Sequence, residues 1–208
     1  MPLIPLSSHA FQAVFATRDP QSNKGSFGSV GILAGAEGMT GAAVLAARSA
    51  LKAGAGRIYV GLAQTDPQCS LDPLQPELMW RSCQSLISMA SNISAWAVGC
   101  GLGESPFALN ALKQVFLQRG TAPMVVDADA LNALSSGHIA PTWGVAPVVI
   151  TPHPTEAARL LKCDTETVQS DRVTHAQALA KIYQAWVVLK GHQTIICAPD
   201  LSCWQNTT

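Results

Sequence analysis

The chain has 208 residues, 48% of them apolar and only 12% charged, with 13 Lys plus Arg against 13 Asp plus Glu. That composition describes a core-rich globular protein rather than a disordered one, and a net charge of zero provides no field to gather nucleic acid or an anionic membrane. No apolar stretch is long enough to span a bilayer, and no basic-then-apolar leader opens the chain.

The first 23 residues read as a loose lead-in with one short helix over residues 8–16. An apolar strand is expected at 29–34, then a Gly-Ala-Glu-Gly turn. A helix of small residues follows over 39–53, closed by Gly54. A second strand fits 57–62. Residues 64–80 are irregular and run into a strand at 78–80. A helix at 82–90, a strand at 95–99 and a helix opened by Pro106 over 106–119 come next. Then a strand at 123–127, a short helix at 128–134 and a strand at 148–150 lead to the helix after Pro154. Residues 165–185 read as mostly one helix, with a strand at 186–190. Two close strands, 194–198 and 202–205, are joined by a hairpin turn at Pro199-Asp200-Leu201. Strands alternating with helices imply a mainly parallel sheet covered on both faces, with the closing hairpin as an antiparallel edge. No repeat or linker interrupts the chain, so a single domain over 1–208 is expected.

The six cysteines, Cys69, Cys83, Cys100, Cys163, Cys197 and Cys203, include neither a CxxC pair nor a zinc-site spacing. They read as small core residues of a reducing, cytoplasmic compartment. Chemistry is better sought where strands end. Thr151-Pro152-His153-Pro154-Thr155-Glu156 follows a strand. Its prolines extend Thr151 and His153, Pro154 suits a first helical turn, and Glu156 suits the helix dipole. An imidazole is thus held at a strand's carboxyl end, or the run is a rigid connection with a solvent-facing His. Lys24-Gly25-Ser26-Phe27-Gly28 fits a phosphate contact or a flexible loop.

The run Gly99-Cys100-Gly101-Leu102-Gly103 bares backbone N–H groups to an anion. As a dinucleotide fingerprint it fails at Glu104, where a third glycine is needed, which ranks a Rossmann dehydrogenase low. Asp127, Asp129 and Asn132 could hold Mg²⁺ through water or a ligand hydroxyl, or simply open a helix. Lys190-Gly191-His192-Gln193-Thr194 suits phosphate, or a plain turn. No Walker A sequence is present.

In order, these segments and the Gly41-Ala42-Ala43 helix start closely resemble the ADP/ATP-dependent NAD(P)H-hydrate dehydratases. The resemblance runs from about residue 18 to residue 208. It implies a ribokinase-like three-layer αβα sandwich and a metabolite-repair hydro-lyase. In that reaction a nucleotide, ADP or ATP with Mg²⁺, phosphorylates the hydroxyl of hydrated NADH or NADPH (the S epimer). Loss of phosphate then restores the double bond. Carried over, Ala42, Gly103 and His153 contact the hydrated dinucleotide. Lys190, Gly191, His192, Gln193 and Thr194 line the nucleotide. Lys24, Asp127, Asp129 and Asn132 lie near phosphates and metal.

The family's Gly-x-Gly-Asp segment, whose aspartate is the presumed base, would fall about twenty residues beyond the last motif, and the chain stops at Asn206-Thr207-Thr208. The expectation is therefore a domain lacking its catalytic base, with one sheet face uncovered and reduced or no activity alone. Functional pairing with a separate NAD(P)H-hydrate epimerase and homo-oligomeric assembly are further expectations, with no nucleic-acid or membrane partner. The alternatives are a kinase of a small alcohol or vitamin precursor on the same fold, and a non-catalytic nucleotide-binding protein.

Overall fold

The computed structural model describes residues 3–6, 17–67, 70–144 and 146–207. The helix expected over 8–16 and Cys69 lie outside them. By its internal contacts the chain divides into two compact units, Met1–Ser22 with Val149–Thr208, and Asn23–Val148. In chain order, β1 (Ile4–Pro5) belongs to the first unit. The Asn23–Val148 unit then holds β2 (Ser29–Ala34), α1 (Thr40–Lys52), β3 (Arg57–Leu62), β4 (Met79–Ser82), α2 (Cys83–Ser88), β5 (Ala95–Val98), α3 (Pro106–Gln118), β6 (Met124–Val126) and α4 (Asp129–Ser135). The rest of the first unit is β7 (Val148–Ile150), α5 (Pro154–Leu161), α6 (Thr165–Ser170), α7 (Arg172–Tyr183), β8 (Trp186–Leu189), β9 (Ile195–Cys197) and β10 (Cys203–Gln205). Among the described residues no helix is long and apolar enough to cross a membrane.

In the Asn23–Val148 unit the strand order is β6-β5-β2-β3-β4, with every recorded pairing parallel. Alternation sorts the side chains. Ile32, Ala34, Ile58, Val60 and Leu62 share one face and pack with Ala43 and Ala47 of α1, whose missing bulk lets the helix sit close to the sheet. The other face carries Gly61, where a Cβ would meet Leu86 of α2 at 2.8 Å. Helices thus lie on both faces, as a parallel sheet requires. Serine caps open two of them: the Ser82 hydroxyl accepts from Ser85 N (3.2 Å) at α2, and Ser105 from Ala108 N (3.2 Å) at α3, just ahead of Pro106. The Cys83 thiol at the start of α2 is held on the Leu62 carbonyl at 2.7 Å, and burial pushes it up to about 12, which leaves it inert as a nucleophile.

The irregular stretch before β4 is tied down by one ion pair. Arg48 of α1 grips Asp72 with both arms, Nε to Oδ2 and Nη2 to Oδ1, each at 2.7 Å, and Leu74 N adds a bond to Oδ1 at 3.0 Å.

In the other unit the order is β1-β10-β9-β8-β7. β7 and β8 run parallel, and β9 and β10 form the expected antiparallel hairpin. The hairpin is not the outermost element, because β1 adds a short parallel strand beyond β10. The single helix expected over 165–185 is two. Asp171 leaves helical geometry (φ −148°, ψ 78°) and its carboxylate caps α7 through Thr174 N at 3.1 Å, while Asp164 caps α6 through Thr167 N at 2.6 Å.

Ile150, Val187, Leu189, Ile195, Cys197 and Cys203 are buried on the face packed by α7. The opposite face carries Ile4, Val149, Trp186, Val188, Ile196 and Trp204, related by register. It is only partly buried, and on it Trp186 and Trp204 stack with ring centroids 5.8 Å apart.

The Arg48 guanidinium beside Asp72 holds that carboxyl below the usual carboxylate range. A depressed folded pKa means stability that is complete above the unfolded value, about 3.9, and is lost as the pH falls through the lower folded value. Thermal melts of Asp72→Asn across an acid series are expected to show a lower Tm than the parent near neutrality and convergence with it in strong acid. A constant gap at all pH values contradicts this.

Candidate functional site

The parallel strands of the Asn23–Val148 unit bring their carboxyl ends to one edge. There the backbone segments after β2, β5 and β6 bond to one another. Gly35 N donates to Cys100 O at 3.0 Å and Ala36 N to Gly101 O at 2.6 Å, while Asp127 N donates to Val98 O at 3.1 Å and Asp129 N to Gly99 O at 3.2 Å. This closeness is why residue 99 is glycine. Its φ is +112°, and a Cβ there would collide with the Asp127 carbonyl oxygen and sit 2.7 Å from the Ala130 Cβ.

The Asp129 carboxylate accepts from Gly103 N at 2.8 Å, with Asn132 Nδ2 at 3.4 Å from its other oxygen. Ala42 in the first turn of α1 borders Gly101, where a Cβ would stand 3.0 Å from its own. Between the two acids, Ala128 sits at φ 50°, ψ −120°, a conformation that costs an L-residue energy and that this packing enforces.

The structure therefore groups Ala42, Gly103, Asp127, Asp129 and Asn132 at one strand edge. Lys24 is not brought to them. Its loop precedes β2 and is bonded to the start of β3 through Gly56 N to Phe27 O and Arg57 N to Gly28 O, at the opposite, amino edge. Beside Gly103 opens a cleft of about 460 Å³ lined in part by Glu37, Gln64, Asp66, Glu104 and Ser105. Gln64 was not anticipated from sequence. Its Nε2 donates to Gly35 O and to Thr40 Oγ1, both at 2.9 Å, and so pins the turn into α1.

The other unit holds the remaining residues. His153 is the N-cap of α5, a task usually given to Ser, Thr, Asp or Asn. Its Nδ1 accepts from Thr155 N (3.2 Å) and Glu156 N (3.3 Å), which assigns the ring proton to Nε2. Glu156, 5% exposed, closes the box by accepting from His153 N at 2.8 Å. The same carboxylate lies 3.5 Å from His153 Nε2 and 3.8 Å from Lys190 Nζ. Lys190 N donates to Pro152 O at 2.9 Å, so the turns after β7 and β8 are tied together.

The 190–194 loop is braced by Arg172, whose guanidinium donates to the carbonyls of Leu189 (2.8 Å), Lys190 (3.2 Å), His192 and Gln193. Gly191, at φ +142°, leaves just the room this arginine needs, since a Cβ would lie 3.0 Å from its Nη2. Arg172 also escaped the sequence reading. An arginine that opens a helix carries no local sign that its partners are carbonyls about twenty residues on. Among the described residues no group of three His, Cys, Asp or Glu could hold a metal ion. A magnesium ion fits here only as the companion of nucleotide phosphates, with water completing its shell.

Three substitutions test the first group. Asp129→Ala leaves the Gly103 amide without its acceptor, at an expected cost of about 1–2 kcal/mol, with faster hydrogen exchange at Gly103; Asp129→Asn, which keeps an acceptor oxygen, should lose less. Gly99→Ala, forced against the Asp127 carbonyl, should cost about 3 kcal/mol or more. Chemical denaturation of the three variants checks the order, and a Gly99→Ala protein as stable as the parent contradicts it.

The NAD(P)H-hydrate dehydratase family model (Carb_kinase) matches residues 30–208. The ADP-dependent (S)-NAD(P)H-hydrate dehydratase of Neisseria meningitidis is 39% identical over 200 residues, which cover 94% of this chain and 67% of that protein. The bifunctional NAD(P)H-hydrate repair enzyme Nnr of Moorella thermoacetica is 36% identical over 203 residues, covering 92% of this chain and 38% of its own length. The ADP/ATP-dependent NAD(P)H-hydrate dehydratase of Bacillus subtilis, co-crystallised with ATP/Mg²⁺, matches the fold with a TM-score of 0.80 at 29% identity, over 100% of this chain and 74% of that one. With a family match over most of its length, the chain belongs to the NAD(P)H-hydrate dehydratase family.

Proposed function

We propose that the protein acts in the nucleotide-dependent dehydration of the S epimer of hydrated NADH and NADPH, with ADP as the phosphoryl donor. The observation that supports this reading best is the pairing, within one unit, of His153, its proton on Nε2, with a glycine loop at 190–194 whose carbonyls are held by Arg172. With the loop braced there, Lys190 lies 3.8 Å from Glu156 and exchanges that partner for a polyanion, and His153 offers a hydrogen-bond donor at Nε2 to a dinucleotide.

The chemistry needs such groups. Hydroxide is a poor leaving group, whereas phosphate, once transferred to the ring hydroxyl, departs with the electron push of the ring nitrogen. Loss of a proton from the adjacent carbon then restores the double bond. Phosphoryl transfer asks the protein chiefly for positioning and charge stabilisation. Lys190, Gly191, His192, Gln193 and Thr194 are assigned to the nucleotide, and Ala42, Gly103 and His153 to the hydrated dinucleotide. Asp127, Asp129 and Asn132 are assigned to the phosphate region, where Asp129 acts through the Gly103 amide. When bound with the nucleotide, Mg²⁺ supplies charge neutralisation on its phosphates. No catalytic base is assigned among residues 1–208. An epimerase that interconverts the two hydrate epimers is the functional partner this reaction calls for.

The test is equilibrium binding of ADP and ATP to the chain, read beside recovery of NADH absorbance from the purified S hydrate with each nucleotide. Lys190→Ala is expected to weaken ADP binding about tenfold, the loss of one charge-assisted contact. His153→Gln, which keeps a side-chain acceptor at the cap, should act on hydrate binding and leave ADP binding unchanged. A folded chain that binds neither nucleotide overturns the proposal.

A further inference from the structure

Cys197 and Cys203 face each other across the β9–β10 hairpin as direct register partners. Their sulfurs are 2.9 Å apart, and both are free thiols in the apolar layer under α7. The hairpin bonds settle what kind of pair this is. Ala198 N donates to Ser202 O and Asn206 N to Thr194 O, both at 2.9 Å, so the pairs 198/202 and 194/206 are hydrogen-bonded ones. Alternation along an antiparallel ladder then makes 197/203 a non-hydrogen-bonded pair. Such pairs bring their Cα atoms to about 4.5 Å, inside the range that a disulfide bridges. Chance burial of two small apolar residues needs neither register nor sulfur contact, and Cys83, also buried, is bonded to the Leu62 carbonyl instead.

We propose that Cys197 and Cys203 form a vicinal-strand dithiol that a small hydroperoxide oxidises reversibly to an intramolecular disulfide, a covalent modification site separate from the dehydration chemistry. Size selects the oxidant class, because Cys203 is 4% exposed and Cys197 is fully buried, which bars bulky disulfides. Burial and the neighbouring sulfur push the Cys197 thiol up, so its proton stays in place and Cys203 is the sulfur that reacts first. Cys203 sulfur attacks one oxygen of hydrogen peroxide, the O–O bond breaks, and a sulfenic acid and one water result (an organic hydroperoxide releases its alcohol in place of this water). Cys197 sulfur then displaces the sulfenic hydroxyl as a second water, and the S–S bond forms. Two thiol protons end in two waters, and the peroxide is reduced by the two electrons the sulfurs lose.

The experiment treats the intact chain with hydrogen peroxide, quenches it in acid, and alkylates it after unfolding. No Lys or Arg follows Lys190, so residues 191–208 form one tryptic peptide carrying both cysteines. The expected product is that peptide lighter by two hydrogens and alkylated at neither cysteine, returning to double alkylation after dithiothreitol. In Cys203→Ser the loss of alkylation at Cys197 should disappear. Should that variant fail to fold, chymotryptic cleavage at Leu201 in the parent must yield two fragments joined by the bridge. The proposal is overturned if both cysteines still alkylate at a dose that oxidises the exposed Cys163, or if they go separately to sulfinic acid.

Discussion

Between residues 99 and 129 the polypeptide lies against itself with no side chain to separate it. The Asp127 carbonyl occupies the place where a Cβ on residue 99 would stand, and the Asp129 carboxylate reaches back to the Gly103 amide. This contact fixes where β5 and β6 end, keeps Ala128 in a conformation it would not choose alone, and aligns the segment that Ala36 and Gly35 then join. A strand edge built this way presents backbone rather than side chains. That suits a ligand rich in phosphate and ribose, and it is rigid before any ligand arrives.

The unit that contains Val149–Thr208 reaches a similar end by a different route. There side chains do the holding. His153 caps a helix with its ring, Glu156 returns the bond, and Arg172 gathers carbonyls from residues 189–193. These bonds all lie within that unit, so the loops need little reordering on binding, which favours affinity through preorganisation. The ribokinase-like fold shared with solved relatives thus supplies two kinds of strand end, one of glycine backbone and one of braced loops.

Much of this was legible in the sequence because the signals are local. Proline on either side of His153, glycine at alternate positions after a strand, and Pro106 at a first helical turn each state their geometry within a few residues. What was missed is nonlocal. Gln64 and Arg172 bond to atoms 24 or more and 17 or more residues away, and nothing in their neighbours announces it. The break at Asp171 was hidden because an aspartate inside a helical pattern reads as a surface residue until its carboxylate is seen to cap the next turn. Lys24 was misplaced by a different error. A glycine-rich loop before a strand resembles one after it, but in a parallel sheet the two lie at opposite edges.

Directly opposite residues of β9 and β10 share a face, so the length of the connection over 198–202 assigns every side chain of β10 to one side. As built, Cys203 lies under α7 and Trp204 stacks on Trp186 across the other face. A single inserted or deleted residue in that turn would exchange them, driving an indole into a space that holds a thiol and stripping the stack of its partner. The turn can therefore change its length only in steps of two.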